Sequence, residues 1–395
     1  MKESFPAVDR GGRPAVFSRR FFVAFSAAIV FAFVSCAVAQ EPAPRDDLVE
    51  NYVESRRAEL LREFESFQSE NGFERPFKVK TTERFIFVYD TSDAYLQWLS
   101  ALTNEVAKAF DKFCARLELK TTKPPIPLTV VVFATREEFE LYAASLRGDP
   151  LGLGQRQGQE EERKNGFVAG FYDHGSNRSV IYDMTDVEAS RVANDEGVAR
   201  KEGDFSWRKL KAEAKTIKTR FASGGNTSTI VHEISHQLAF NYGIFSRRFR
   251  QPDWVVEGMA TTFEPTDEDA PLGWRFRNAF PVNDSRLRAF VAAANDDENL
   301  TLLDDIVTSD RFENELDADG YAASWALFYF CYRKKPKELK SYLETIKKRD
   351  PRKVYSEDER MKEFRDCFGD PAVVGKQFVK FVRDLNVRRI KASDR

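Results

Sequence analysis

Histidine is nearly missing from this chain: 395 residues hold three. Any chemistry that needs an imidazole must therefore use His174, His232 or His236, and two of these stand four residues apart. Cysteine is scarce as well, with four residues and no C-x-x-C spacing that would mark a thiolate metal site. An excess of charge of one sign is also lacking. The formal net charge of −2 and pI near 6.1 argue against nucleic acid as the main partner. No internal repeat stands out, and no long Gly/Ser or Pro tract marks a flexible linker. No Gly-x-Ser-x-Gly elbow, phosphate loop or dinucleotide fingerprint is present. What the chain has in quantity is apolar bulk. It is 42% hydrophobic, and its 35 phenylalanines against five tryptophans suggest an aromatic-filled interior. That suits one sizeable enzyme domain with decorations.

The informative segment is Thr229-Ile-Val-His232-Glu233-Ile-Ser-His236-Gln-Leu238, an H-E-x-x-H pattern. Residues i and i+4 lie on one helical face about one turn apart, so His232 and His236 can offer imidazole nitrogens to one cation. Zinc accepts nitrogen and oxygen ligands, and a catalytic site uses three protein ligands while leaving a fourth position to water. Glu233 projects beside that face, which suits a base that takes the proton of a bound water. Ile230, Ile234 and Leu238 form an apolar face, so the helix is expected to be buried.

A third ligand should come from another element. The helical pattern stops near Asn241-Tyr-Gly243, where glycine can take the left-handed position after a helix end. A basic loop, Ser246-Arg-Arg-Phe-Arg250, leads to Asp253, the expected N-cap of a helix from Trp254 to about Phe263 that Pro265 stops. Glu257 lies one turn inside it. Gly258, without a side chain, is expected to let this helix approach the histidine helix closely.

H-E-x-x-H with a glutamate about twenty residues downstream, in the context W-x-x-E-G-x-A, resembles the gluzincin branch of zinc metallopeptidases. More narrowly, it resembles the peptidase-MA-like domains of secreted bacterial proteins, over roughly residues 77–343. The resemblance implies that His232, His236 and Glu257 are zinc ligands and Glu233 the catalytic base. It also implies a downstream tyrosine or histidine that stabilises the oxyanion, for which Tyr321 is the candidate. The bland alternative for Tyr321, with Ser324, Trp325 and Phe328, is an ordinary core stripe. His174 falls in a turn, where a surface histidine is expected. Gluzincins often carry an aspartate four residues after the ligand glutamate to orient a histidine. Thr261 stands there in this chain, so its hydroxyl is the expected partner of His232, with a weaker metal site as the consequence.

Arg13, Arg19 and Arg20 precede an uncharged stretch from Phe21 to Ala39, and Ala37-Val-Ala39 fits small-residue cleavage. Ser18-Arg-Arg-Phe-Phe22 resembles a twin-arginine signal. Cleavage after Ala39 is the leading expectation; lipidation at Cys36, or retention as an anchor, are the alternatives that would tie the protein to a membrane. After export, Cys331 and Cys367 either pair or stay as buried thiols, and Cys114 reads as a small core residue in an amphipathic helix.

The remaining pattern alternates strands and helices before the metal helix and is mostly helical after it. A charged helix at about Asp46–Glu70 is followed by β signals at Phe77–Thr82 and Phe85–Tyr89. A long helix at Asp93–Leu117 leads to a buried strand at Leu128–Phe133. Thr135 and Glu138 then open a helix with a T-x-x-E capping box. Phe167–Tyr172 and Ser179–Tyr182 flank a turn, which suggests a hairpin. The expected fold is α+β and zincin-like: a mixed sheet with helices, then a mainly helical half that carries the HExxH helix. The expected segments are a signal peptide (1–39), an N-terminal helical segment (40–75) and an α/β sub-domain (76–183). A charged helical insertion (184–225), a helical zinc-site sub-domain (226–345) and a helical tail (346–395) follow. The expected function is that of a secreted or periplasmic zinc metallopeptidase acting on peptide or protein. The alternative is a catalytically silent, zinc-stabilised domain that binds cell-surface protein or polysaccharide.

Overall fold

Alternation along the strands builds the molecule. In the strand β2 (Phe85–Tyr89), Phe85, Phe87 and Tyr89 enter one apolar cluster, while Ile86 and Val88 enter another. The strand β3 (Leu128–Phe133) divides in the same way, with Val130 and Val132 on one face and Val131 and Phe133 on the other. A strand buried on both faces needs a layer on each side. Those layers are helical.

The computed structural model describes residues 46–147, 170–184, 224–265, 280–296, 303–308 and 318–393. β1 (Lys78–Thr81), β2, β3, β4 (Gly170–Asp173) and β5 (Arg178–Tyr182) form one mixed sheet in the order β1-β2-β3-β5-β4. The three central strands run parallel, and the edge strands β1 and β4 are antiparallel to their neighbours. β4 and β5 form the expected hairpin.

α1 (Asp46–Asn71) and α3 (Arg136–Arg147) cover one face. Phe64 and Tyr142 pack there against Phe77 and Phe133, with ring centroids 5.0–6.2 Å apart. α1 is thus part of the body. α3 opens with the expected capping box: the Glu138 backbone N–H donates to the Thr135 hydroxyl, and the Glu138 carboxylate accepts from the Thr135 backbone N–H.

The other face carries α2 (Asp93–Arg116) and α4 (Gly224–Asn241), the HExxH helix. Its apolar core continues into α5 (Asp253–Phe263), α6 (Asp284–Asp296), α7 (Leu303–Thr308), α8 (Ala318–Lys334), α9 (Pro336–Ile346), α10 (Glu357–Phe368) and α11 (Pro371–Ser393). The fold is α+β, with eleven helices among the described residues and a mainly helical C-terminal half.

Two local expectations need correction. Asp253 is not the N-cap of α5. The Pro252 carbonyl accepts from the Val255 and Val256 N–H groups, which makes Pro252 the cap and Asp253 the first helical residue, paired with Arg250 at 2.7 Å. Gly258 does not serve contact with α4. A Cβ there would lie 2.3 Å from the Ser324 carbonyl oxygen and 2.6 Å from Phe328 Cβ, so its close neighbour is α8. Cys114, Cys331 and Cys367 are all free thiols, Cys331 fully buried. The expected export segment and nearly all of the charged insertion lie outside the described residues. Among the described residues, no helix is long and apolar enough to cross a membrane.

Candidate metal centre

α4 presents its histidines to the core because its flank and its C-terminal end are tied down. Ile230, Ile234 and Leu238 are each 1% exposed and seat the helix against the sheet. Gln237, fully buried, donates through Nε2 to the Thr129 carbonyl of β3 at 2.8 Å and to the Asn177 carbonyl at 3.2 Å, and accepts from Ser179 of β5 at 3.1 Å. These bonds fix the rotation of the helix about its axis. Gly243 ends it at φ +72°, as its position after Asn241 suggested.

On that face His232 Nε2 and His236 Nε2 are 2.9 Å apart. Glu257, one turn into α5, brings Oε2 to 3.1 Å from the first and 3.3 Å from the second. All three residues are buried, and their ligand atoms lie within 4.8 Å of one another. Among the described residues this is the one group of three or more such side chains close enough to share an ion. The sequence named these three residues, and the structure brings them together.

The electrostatics around them favour a cation. Burial opposes a charged carboxylate at Glu257, but His236 and His232 outweigh it and hold its pKa well below the ordinary range. Burial likewise opposes a charged imidazole at His232, yet hydrogen bonds to Glu257 and Glu264 raise its pKa to about 10. Two imidazole nitrogens and one carboxylate oxygen in a triangle with sides of 2.9–3.3 Å suit an ion that takes such ligands at about 2.0–2.2 Å. The residues present fit a divalent metal, and the triad could hold one.

Glu233 is half-buried beside the triad. Its surroundings raise its pKa, with burial the largest cause and the neighbouring Glu257 charge adding to it, while the two histidines oppose. The Tyr172 backbone N–H on the edge strand β4 is a smaller influence that lowers it. Tyr321, on α8, is half-buried with its ring edge-on to His232 at 5.7 Å between centroids. The Arg286 guanidinium stands 5.2 Å from the same ring. His174 lies apart from the triad, in the β4–β5 turn, with its ring 4.3 Å from Phe240.

The residue that orients His232 is not Thr261. The Thr261 hydroxyl donates to its own helix, to the carbonyls of Glu257 at 2.6 Å and Gly258 at 3.2 Å. His232 Nδ1 instead meets Glu264 Oε1 at 3.0 Å. Glu264 is buried at the C-terminal end of α5, and Arg286 of α6 grips it with two bonds, Nε to Oε2 at 2.9 Å and Nη2 to Oε1 at 2.8 Å. Asn283 adds a third donor at 3.3 Å. A carboxylate on Nδ1 fixes the tautomer that leaves the Nε2 lone pair for a metal. His236 Nδ1, also buried, has no hydrogen-bond partner among the described residues. The two histidines are therefore supported very unequally.

Fold and site together define an α+β protein with a buried two-histidine, one-glutamate pocket suited to a metal ion. A family model described as a protein of unknown function, DUF1570, matches residues 226–353. That segment spans α4 to α9 and contains His232, Glu233, His236, Glu257, Glu264, Arg286 and Tyr321. No curated protein matches the chain.

Proposed function

We propose that this protein is a zinc-dependent peptidase of the gluzincin type with a zincin-like arrangement, held by His232, His236 and Glu257, with Glu233 as its general base. The observation that carries the reading is the placement of a half-buried carboxyl group, Glu233, immediately beside a buried triad of metal-binding side chains. Zinc bound there would supply Lewis-acid polarisation of the scissile carbonyl and a water acidified toward neutrality. Glu233 takes the proton from the attacking water and returns it to the leaving amine. A carboxylate is suited to both halves of that exchange, since the same group must accept the proton and then donate it. Glu264, clamped by Arg286, holds the His232 ring in the ligating tautomer. Tyr321 is the candidate donor to the oxyanion from the opposite wall.

The substrate is a peptide or protein chain lying extended beside the edge strand β4 as an added strand. The proposed site of action is outside the cytoplasm, on the strength of the export-signal pattern in residues 1–39. The second reading, a silent zinc-stabilised binding domain, is disfavoured by Glu233 itself, because a structural metal site has no use for a neighbouring base.

The test separates metal from chemistry. Wild-type protein should contain zinc by elemental analysis and cleave an unbiased peptide library, and Glu233→Gln should retain the zinc while losing cleavage by about a thousand-fold or more. Equal cleavage by both proteins would remove Glu233 from the mechanism. Stoichiometric zinc without cleavage in the wild type would favour the binding-domain reading.

A further inference from the structure

The edge strand β4 is fastened to the HExxH helix α4 on both sides of Tyr172. Before it, Gly170 sits where a side chain has no room: a Cβ would lie 2.7 Å from Ile181 Cγ2 of β5 and 3.1 Å from Thr229 Cγ2 of α4. After it, in the β4–β5 turn, Asn177 takes φ +59°, a left-handed conformation that glycine adopts at less steric cost. Asparagine stands there with its whole amide engaged. Nδ2 donates to Asn241 Oδ1 at 2.9 Å, and Oδ1 accepts from Asn241 Nδ2 and from the Tyr172 hydroxyl, each at 2.7 Å. Asn241 is the last residue of α4 and donates again to the Gln237 carbonyl at 2.7 Å. The Tyr172 ring stacks on Phe240 of the same helix with centroids 5.6 Å apart.

Sheet pairing alone does not require this clamp. The ladder with β5, from Gly170↔Ile181 to Asp173↔Arg178, already fixes β4 within its layer. What the ladder leaves open is the gap between the free edge of β4 and the helix, because a strand with one neighbour can twist about it. The clamp removes that freedom on either side of Tyr172, whose backbone N–H acts on the Glu233 carboxyl. It does so with neutral amides and a phenol, adding no charge beside the metal pocket.

We propose that Asn177, paired with Asn241, is a positioning residue for the substrate. It holds the free edge of β4 at the distance from α4 at which an added peptide strand brings its scissile carbonyl to the metal pocket. This rests on the peptidase reading and deepens it. An edge fixed in advance spares the bound chain the cost of ordering the strand it pairs with. Neither asparagine touches the reacting atoms. Their loss therefore weakens binding of the chain and spares the proton transfer at Glu233.

Kinetics of the zinc-loaded full chain test this, on a fluorogenic peptide carrying the sequence best cleaved from an unbiased library. Asn177→Gly keeps the left-handed turn and removes the clamp, so KM should rise about ten-fold while kcat and zinc affinity stay within about two-fold. Asn241→Ala should do the same. The double variant should also stay near ten-fold, because the two side chains act as one contact. A lower melting temperature with unchanged KM in both single variants would reduce the clamp to a stability role and overturn the proposal. So would a fall in kcat at constant KM, which would mean that Glu233 or the metal ligands had moved. Losses that multiply in the double variant would overturn the pairing. Cleavage by every variant with the wild-type KM overturns this inference alone. No cleavage by the zinc-loaded wild type removes the peptidase reading, and this inference with it.

Discussion

Two places in this molecule bury several carboxylates together, and they solve the problem in opposite ways. In the metal pocket, Glu257 faces two imidazoles and Glu264 faces an imidazole and the two-pronged Arg286, so both are held ionised. At the opposite solution stand Asp90 and Glu138, where the parallel strands β2 and β3 end. Asp90 Oδ1 accepts the Ala134 N–H at 2.7 Å, and Glu138 takes two contacts from Arg75 Nη2 at 3.0 and 3.1 Å. Arg75 is half-exposed and reaches Asp90 only at 3.6 Å, so one weakened cation serves two acids. Asp90 responds by keeping its proton: burial, then the Glu138 charge, push its pKa up to about 7. A buried acid surrounded by nitrogen ligands calls for a metal. A buried acid beside another acid calls for a proton.

The widest separation between the two clusters should appear on removing an anionic ligand. Glu257→Ala leaves two imidazoles and no carboxylate at the triad, and zinc affinity by competitive chelator titration should fall by about a thousand-fold or more. Glu138→Ala removes an equally buried carboxylate and should leave zinc affinity within about two-fold. A loss below ten-fold for Glu257→Ala would take the ion out of this pocket.

The next effect distinguishes Glu264 from Thr261. Glu264→Gln keeps the shape but exchanges a carboxylate for a neutral amide at His232 Nδ1, and zinc affinity should fall by about 10–100-fold. Thr261→Val removes a hydroxyl bonded only to its own helix and should leave affinity within about two-fold. If the two variants exchanged these outcomes, His232 would have to turn toward α5 when the metal binds.

The pocket is also held by helix contact in a way the strand-end cluster is not. Gly258→Ala would drive a methyl group into the Ser324 carbonyl, forcing α5 and its ligand away from α8, at a cost of about 3 kcal/mol. Urea unfolding measures it. A cost under 1 kcal/mol would show that α8 moves freely, and with it Tyr321.

What the sequence disclosed divides along the same physical line. His232, Glu233 and His236 were legible because a helix converts a four-residue spacing into a shared face, and Glu257 because Pro265 and the apolar run around it outlined a second buried helix. β2 and β3 were legible from continuous apolar runs. Helical spacing points one turn beyond Glu257, to Thr261, whereas the orienting carboxylate, Glu264, sits two turns on at the helix end. Its position just before Pro265, in a segment otherwise apolar, was the available signal. Arg286 of α6 and Asn283 just before it reach Glu264, and a pairing across 19–22 residues leaves no periodic trace. Gly258 signals a close approach, but a glycine does not say to which neighbour. The strand-end acids were individually visible, yet only the parallel register of β2, β3 and β5 brings Asp90 to the start of α3.

The smallest effect belongs to that second cluster and is read by pH. The folded pKa of Asp90, about 7, lies above the ordinary value of 3.8. Below about pH 4 folded and unfolded chains both carry the proton, so the contribution of Asp90 to stability is fully present. Between there and about 7 the unfolded chain has lost its proton while the folded protein holds it, so stability from this group falls as pH rises through 7. Asp90→Asn mimics the protonated acid: its carbonyl oxygen still accepts the Ala134 N–H, and its amide can donate to Glu138. The variant should therefore match wild type to within about 0.5 kcal/mol near pH 4, and exceed it by on the order of 1 kcal/mol or more near pH 8. Urea unfolding of both proteins at the two pH values decides it. A difference that does not change with pH would mean that Asp90 is ionised throughout, and that Arg75 neutralises two buried acids as effectively as the histidines and Arg286 do in the pocket.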